Sequence, residues 1–593
     1  MTLKNSNNGS IKSLRPLLPY IRKYATPLFV GFLFILIQNY CLVKIPFFLK
    51  TILDEIVSEN RFYIISDLMI KVLLYVLVEA VSLYLMRKII ISVSRKIEYE
   101  IRQKLFNLLL NREYPFFLKN ETGDISSRMT NDLNDVRILL GPAIMYVPNS
   151  LSRIVMFFPV LLGLSGTLML IIIPILILLV LLILIILPKL RPKFKKIQET
   201  TAIINNRVWQ TITGITTIKQ NTLEKTESER FKTLNNDYIR VQLNMVKLRS
   251  IIRPLFMFLF SVIELIILYV GGGKVVSGTL TIGELLQFNI MVSALTFPIL
   301  SLGWIMSMVQ LGISAMERIN YILKEPVYEK KDSVLVGDSV EIIEVKNLSF
   351  NYPGTEKRVL KDISMVVKKG DMVGITGEVG SGKSTFFDIL SGLLTPDSGM
   401  ITINGKDISD VDKSFLYPFF SVVSQNTFLF SGTIIENLSI GNWDPEIDEI
   451  RKNVSIASLD LDIDSFPDKY NQLVGERGIT LSGGQKQRMS IARALCNPAP
   501  VLLLDDPLSS VDSETEERIL SNLKKLRSDK TGDAFKTVFL ISHRLSALKE
   551  CDIIHVFKDG KIIESGNHGE LIGKRGHYYL LSVMQQMGNK EQG

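Results

Sequence analysis

An α-helical membrane domain, its six transmembrane helices extended into the cytoplasm, followed by an α/β P-loop domain is the fold class this sequence predicts. Three observations predict it. Six long apolar runs fill the first 316 residues, the glycine-rich stretch Gly377–Thr385 (GEVGSGKST) follows an apolar strand, and a later apolar strand ends in two aspartates, VLLLDD. In 593 residues, 47% hydrophobic composition and a mean hydropathy of +0.26 are high for a soluble protein, so several domains with a membrane portion are expected. The expected division is a cytoplasmic amino-terminal segment 1–25, a membrane domain 26–316, a charged linker 317–338 containing Pro326, and an α/β domain 339–593.

The apolar runs lie near residues 26–49, 64–86, 141–163, 166–188, 252–273 and 284–312. Each approaches or exceeds the ~20 residues that cross a hydrocarbon core. Between the third and fourth, Gly163-Leu164-Ser165-Gly166-Thr167 leaves room only for a tight hairpin. The connections alternate in length, and the long ones, 87–140 and 189–251, carry most of the positive charge. Arg87, Lys88, Arg95 and Lys96 lie in one, Lys189, Arg191, Lys193 and Lys195 in the other, so both belong in the cytoplasm with the amino terminus. No short apolar run with a cleavage site follows the polar start, and a removable signal peptide is not expected.

Apolar residues recur at helical spacing through Ile89–Leu110 and Ile197–Leu248, so the long connections read as continuations of the membrane helices. Some twenty such residues project ~30 Å. Phe116-Phe117 with Gly123–Arg128 marks one reversal, and Gly214–Lys219 follows the other candidate docking segment; these read either as docking segments for a cytoplasmic domain or as ordinary helix–helix turns. The same loops account for the net charge of +9, which therefore does not call for nucleic acid. Cys41, Cys496 and Cys551 are far apart and form neither a disulfide framework nor a metal-ligand spacing.

The phosphate-binding chemistry follows from residue type. Gly377, Gly380 and Gly382, with Ser381 between them, let successive backbone N–H groups turn toward a polyphosphate; Lys383 reaches its β/γ-phosphates, and Ser384 offers a hydroxyl to Mg²⁺. A helix starting near Thr385 points its positive end at the anion. About a hundred residues later come Leu481-Ser482-Gly483-Gly484-Gln485, then VLLLDD with Asp505 and Asp506, Ser509–Asp512, and His543 after another apolar strand.

These motifs, in this order and after six membrane runs, resemble a half-transporter of the ATP-binding cassette family, in the exporter class with one nucleotide-binding domain per chain. The resemblance covers about residues 15–585. It implies ATP and Mg²⁺ as cofactors, and two chains paired so that each ATP lies between one chain's P-loop and the other's signature. By position, Tyr352 resembles the aromatic that stacks on adenine, and Gln425 the glutamine that senses Mg²⁺ and the attacking water. Ser482, Gly483, Gly484 and Gln485 resemble the signature that meets the partner's ATP, Asp505 the magnesium aspartate, and His543 the γ-phosphate switch. Asp512 resembles a residue coupling the two ATP sites. Glu476 resembles one touching the cytoplasmic loops, with a solvated surface glutamate as the rival reading.

Asp506 departs from the pattern, because the family usually places glutamate directly after the magnesium aspartate to polarise the attacking water. The side chain is shorter by one C–C bond, ~1.5 Å, and ~1 Å of misplacement can cost ~100-fold in rate. The expectation is a site that binds ATP and hydrolyses it slowly, as in the degenerate half of heterodimeric exporters. The partner is then a different half-transporter with its own catalytic glutamate; a homodimer would carry two such sites.

Charges inside the apolar runs are costly unless paired or wet. Glu79, Arg153 and Glu264 are expected either to line a cavity for lipophilic, amphipathic or charged compounds or to form structural ion pairs. The expected function is ATP-driven export by alternating access in a multi-pass protein of a bacterial cell membrane. A lipid translocase, a mainly ATP-binding regulatory subunit and an ATP-gated channel are the alternatives.

Overall fold

The computed structural model describes residues 11–57, 62–325, 328, 331, 339–355, 357–442, 446–475, 478–528 and 537–591. The chain forms two compact units, Met1–Asn111 with Asn120–Pro326, and Arg112–Lys119 with Val327–Gly593.

In the first unit the apolar runs become very long helices. Helix α1 spans Ala25–Val57 and α2 Phe62–Leu110; the short helix α3, Tyr114–Lys119, falls in the second unit. Helix α4 (Ile144–Leu164) ends a helical stretch beginning at Thr122, and α5 (Gly166–Thr213), α6 (Glu224–Ile266), α7 (Ile282–Ala294) and α8 (Thr296–Lys324) follow. Six helical segments among the described residues are long and apolar enough to cross a membrane. In lipid every backbone N–H and C=O must be satisfied within the segment, so an apolar run of this length folds as helix and continues wherever the sequence beyond it is helix-forming. That is why α2, at 49 residues, and α5, at 48, run well past a bilayer's thickness.

Two expected boundaries shift. The linker assigned from residue 317 begins later, because Glu317–Lys324 completes the last two turns of α8, where Ile319 and Ile322 are fully buried. The outer connection expected from residue 50 is helical to Val57, since Thr51–Val57 keeps an unbroken run without glycine or proline.

The hairpin between α4 and α5 turns at Ser165, whose hydroxyl caps α5 by accepting from the Leu168 amide. Helix α7 starts on a capping box in which Thr281 and Glu284 each accept the other's backbone N–H. Asp54 of α1 accepts from the Thr281 hydroxyl and the Gly283 amide, both at 2.9 Å, and Lys50 pairs with Glu284 at 2.8 Å. Close approach is what makes this joint: a Cβ on Gly283 would lie 2.3 Å from the Lys50 carbonyl oxygen.

The second unit is α/β. Strands β1 (Ile342–Phe350), β2 (Leu360–Lys368), β4 (Ser398–Ile403) and β5 (Lys406–Asp407) form an antiparallel sheet in the order β2-β1-β4-β5. Strand β3 (Met372–Gly377) belongs to a second sheet with β6 (Phe420–Val423), β7 (Val501–Asp505), β8 (Thr537–Ile541), β9 (Ile553–Lys558) and β10 (Lys561–Gly566). Its order is β10-β9-β3-β8-β7-β6, and every pairing except β9 with β10 is parallel. Strands β3, β7 and β8 are buried at every residue, which explains why they read as continuous apolar runs rather than alternating ones. Two apolar clusters pack this unit. One is centred on Phe386, Phe539 and Phe557 and the other on Met489, Leu504 and Tyr578.

Replacing Gly283 by alanine should push α7 off α1 and lower the melting temperature of the lipid-reconstituted protein by several degrees, whereas alanine at Gly273, where a Cβ meets open space, should not. Equal melting for the two variants would remove the close-approach argument.

Candidate functional site: the ATP edge of the parallel sheet

Parallel pairing puts the carboxyl ends of β3, β8, β7 and β6 on one edge, where ligands of open α/β sheets bind. The P-loop leaves β3 there, His543 lies two residues beyond β8, Asp505 closes β7, and Gln425 lies two residues beyond β6. The register places Asp505 beside Ile541 and Leu504 beside Leu540 and Val423.

The P-loop glycines take backbone conformations with φ of +143° at Gly377, +81° at Gly380 and +98° at Gly382. A Cβ at Gly377 would meet the Phe557 carbonyl oxygen at 2.0 Å, so this position excludes any side chain. Helix α9, Lys383–Leu390, starts directly after Gly382. The Lys383 ammonium is 6% exposed and folds back onto the loop, donating to the carbonyls of Gly377 at 2.9 Å and Glu378 at 2.8 Å and to Ser381 Oγ at 3.4 Å. Burial lowers its pKa, and the nearby Asp505 and Asp506 oppose that shift. The Tyr352 hydroxyl is 3.1 Å from Thr385 Oγ1, and its ring stands edge-on to Phe350 at 5.2 Å. The aromatic is therefore at the P-loop, resting on both the loop and the sheet.

Asp505 is buried, which raises its pKa, and the nearby Ser384 hydroxyl opposes that shift. A buried carboxylate beside a hydroxyl is an oxygen-only donor pair of the kind Mg²⁺ accepts alongside substrate phosphates and water. Among the described residues no group of three or more His, Cys, Asp and Glu is arranged to hold a metal ion by itself. Asp506 stands beyond it with φ of +48°, a left-handed conformation that aspartate tolerates, and its amide donates to the Ile541 carbonyl at 3.0 Å. His543 lies in the field of Lys383, Asp506 and Asp505, with burial the main cause of its lowered pKa. Lys383, Asp505, Asp506 and His543 thus form one electrostatically coupled group. Gln425 is exposed at the same edge.

Helix α10, Gly483–Leu495, begins with the signature. Ser482 and Gln485 form a capping box, and Gln485 Nε2 donates to Asp462 Oδ1 at 2.9 Å. The Gln485 amide group is therefore engaged within its own chain, while Gly483 and Gly484 form the first residues of the helix, at its positive end. A Cβ on Gly484 would lie 2.9 Å from the Ser510 carbonyl oxygen. Asp512 is exposed and caps the helix α11, Ser513–Ser528, by accepting from the Thr515 amide at 2.9 Å; this bond lowers its pKa. Glu476 lies outside the described residues.

Several residues around the site are not among the expected site residues, although Gln487 lies just after the signature. Gln487 of α10 donates to Ser509 Oγ at 2.7 Å and accepts from the Ser510 amide at 2.8 Å, tying the signature helix to the loop after Asp506. Helix α3 contributes Tyr114, whose pKa is raised by burial and by Asp388, and Glu113 pairs with Lys413 at 3.0 Å. Asp388, on α9, is pushed up to about 6 by burial and by Asp505.

In the membrane unit the three predicted charges separate. Glu79 accepts from Gln38 Nε2 at 3.0 Å, and Arg153 donates to Asn39 Oδ1 at 3.2 Å, within a network where Asn39 also donates to Asn149 and Ser152. Glu264 instead lines a cavity of about 920 Å³ between α5, α6, α7 and α8, with Phe256, Phe260 and Trp304 on its wall and Arg249 also lining it. Polar residues interrupting the first and third apolar runs were the available signal for the network, but their spacing does not say which pair.

The Asp388 shift has a defined sign. An unfolded aspartate releases its proton near ~3.9, the folded one near 6, so the fold binds this proton more tightly and loses that advantage as pH rises from ~4 to 6. Asp388→Asn should raise the melting temperature at pH 7.5, and the gain should shrink steadily toward pH 4. A gain independent of pH would refute the assignment.

The family models agree with this layout. The model described as "ABC transporter transmembrane region" matches residues 28–299, and that described as "ABC transporter" matches residues 360–509. The chain is 31% identical over 539 residues to the "Multidrug resistance-like ATP-binding protein MdlA" of Buchnera aphidicola subsp. Schizaphis graminum, covering 90% of this chain and 91% of the relative. It is 28% identical over 580 residues to the "ATP-dependent lipid A-core flippase" of Syntrophus aciditrophicus, covering 98% and 95%. Among solved structures, a bacterial Atm1-family ABC exporter with ATP bound shares the fold, with a TM-score of 0.76 at 22% identity over 95% of this chain and 98% of that one. With six apolar helices, a phosphate-binding loop on a parallel sheet edge and these relatives, the chain belongs to the ATP-binding cassette transporter family, as a multi-pass exporter of the bacterial inner membrane.

Proposed function

We propose that this chain is the slow-site half of a heterodimeric exporter of amphipathic compounds. The observation that carries the reading is Asp506, a carboxylate in the field of Lys383 and His543 but one carbon shorter than the glutamate such a site uses to polarise water. Lys383, Tyr352 and the P-loop amides bind ATP, and Ser384 with Asp505 hold Mg²⁺, which supplies charge neutralisation at the phosphates. His543 stabilises the γ-phosphate, and Gln425 orients water. Ser482, Gly483 and Gly484 complete the partner's ATP site through the positive end of α10, and Asp512 lies where the two sites communicate. Hydrolysis then runs mainly at the site that combines this chain's signature with the partner's P-loop and glutamate.

The cavity supports the cargo class. Its aromatic and aliphatic walls take a lipophilic body, and Glu264 favours a cationic group on it. Glu79 and Arg153, held in the amide network, serve structure rather than cargo. A lipid translocase is the second reading, favoured by the similarity to a lipid A-core flippase and by the same apolar walls. A regulatory subunit that only holds ATP is distinguished by its lack of any gain from a restored glutamate.

ATP turnover of the chain purified alone in lipid should be low, and Asp506→Glu should raise it at least tenfold. Fast wild-type turnover would indicate a working homodimer, and no gain from the glutamate would remove the short-reach account. With its partner present, Glu264→Gln should reduce transport of a lipophilic cation several-fold and leave a neutral analogue unchanged. Equal loss for both, or for neither, would remove Glu264 from cargo selection.

A further inference from the structure

Two residues beyond β8 the chain must present the His543 imidazole to a phosphate while making a turn with little secondary structure. Its own bonds are sparse: Ser542 Oγ accepts from the Arg544 amide at 3.0 Å, and the four-residue helix Leu545–Leu548 begins just after. Further backbone anchoring comes from the Ser542 amide, which donates to the Ile375 carbonyl at 3.1 Å, and from the last helix, α12 (His577–Glu591), about forty residues further along the chain. There the half-buried Gln585 reaches both sides of Arg544 with one amide group. Its Nε2 donates to the His543 carbonyl, and its Oε1 accepts from the Leu545 amide at 3.1 Å. Arg544, held between these two bonds, points the other way. Its guanidinium donates to the carbonyls of Val511 at 2.8 Å and Ser509 at 3.0 Å and pairs with the buried Glu516.

The consequence is a continuous brace. Gln585 holds the backbone of His543 and Leu545, Arg544 between them holds the loop Ser509–Val511, and that loop is bonded through Ser509 and Ser510 to Gln487 of the signature helix α10. A methionine of nearly the same length at 585 would fill the space but offer neither bond. A glutamate would keep the acceptor for Leu545 and set a carboxylate oxygen against the His543 carbonyl. Because both bonds are to backbone, they act on where the imidazole is carried rather than on its chemistry.

We infer that Gln585 is a positioning residue for ATP hydrolysis, fixing the His543 turn from the carboxyl-terminal helix. The inference rests on the reading that His543 faces the γ-phosphate. It assigns Gln585 no contact with nucleotide. Catalytic groups displaced by ~1 Å lose up to ~100-fold in rate, and the loss of two backbone tethers should cost about tenfold.

The test uses the full chain in lipid, with its partner where it has one, and single-turnover hydrolysis of limiting γ-labelled ATP, which resolves slow and fast sites alike. Gln585→Met should slow hydrolysis about tenfold and leave ATP affinity within twofold and the melting temperature nearly unchanged, with Gln585→Glu also slow. In a His543→Ala background Gln585→Met should add no further loss, because a turn without its imidazole has nothing left to position. Wild-type hydrolysis in Gln585→Met, a loss carried by ATP affinity instead of rate, or a loss that multiplies with that of His543→Ala would overturn the inference. A wild-type rate in His543→Ala itself would instead remove the histidine's role, and Gln585's with it.

Discussion

Parallel pairing of β3, β8, β7 and β6 is the constraint on which the ATP site depends. Each strand delivers one chemical group at its carboxyl end, and the register decides that these ends are level. Antiparallel pairing at any one step would send that group to the opposite edge. The same pairing buries β3, β7 and β8 on both faces, so the hydrophobic stabilisation of the sheet and the geometry of the site come from the same bonds.

Burial at that edge sets the electrostatics. Lys383 and Asp505 are both withdrawn from water, each pushed by burial toward its neutral form and each pulled back by the other's charge. The ammonium meanwhile satisfies itself on the carbonyls of Gly377 and Glu378. Under the proposed function, a polyphosphate would replace those carbonyls as partner to a cation already in place. His543 sits in the same field with its charge disfavoured, which suits a neutral donor to an anionic oxygen.

The membrane unit meets its polar residues by two different means. Gln38 bonds to Glu79 between α1 and α2, and Asn39 bonds to Asn149, Ser152 and Arg153 between α1 and α4, giving polar groups in an apolar surrounding partners within the protein. Glu264 faces an open cavity instead, where water or a ligand supplies what side chains do not. Both arrangements obey one rule, that a charge in lipid surroundings must find a partner, and only the partner differs.

The chain's own order of residues determined a great deal. Run length determined six helices long and apolar enough to cross, because an apolar segment of ~20 residues satisfies its backbone in lipid as helix. The P-loop, signature and VLLLDD were legible because each depends on local backbone geometry, as the left-handed glycines 377, 380 and 382 illustrate. What only the tertiary structure decided were the pairings between distant segments: Gln585 with His543, Gln487 with Ser510, Asp54 with Gly283, and Asn39 with Arg153. A glutamine on a late helix looks in sequence like any solvated side chain, and nothing in its neighbours says which backbone it will hold. Local motifs are read from sequence because short-range sterics fix them, whereas these bonds exist only after packing has brought residues tens or hundreds of positions apart within ~3 Å.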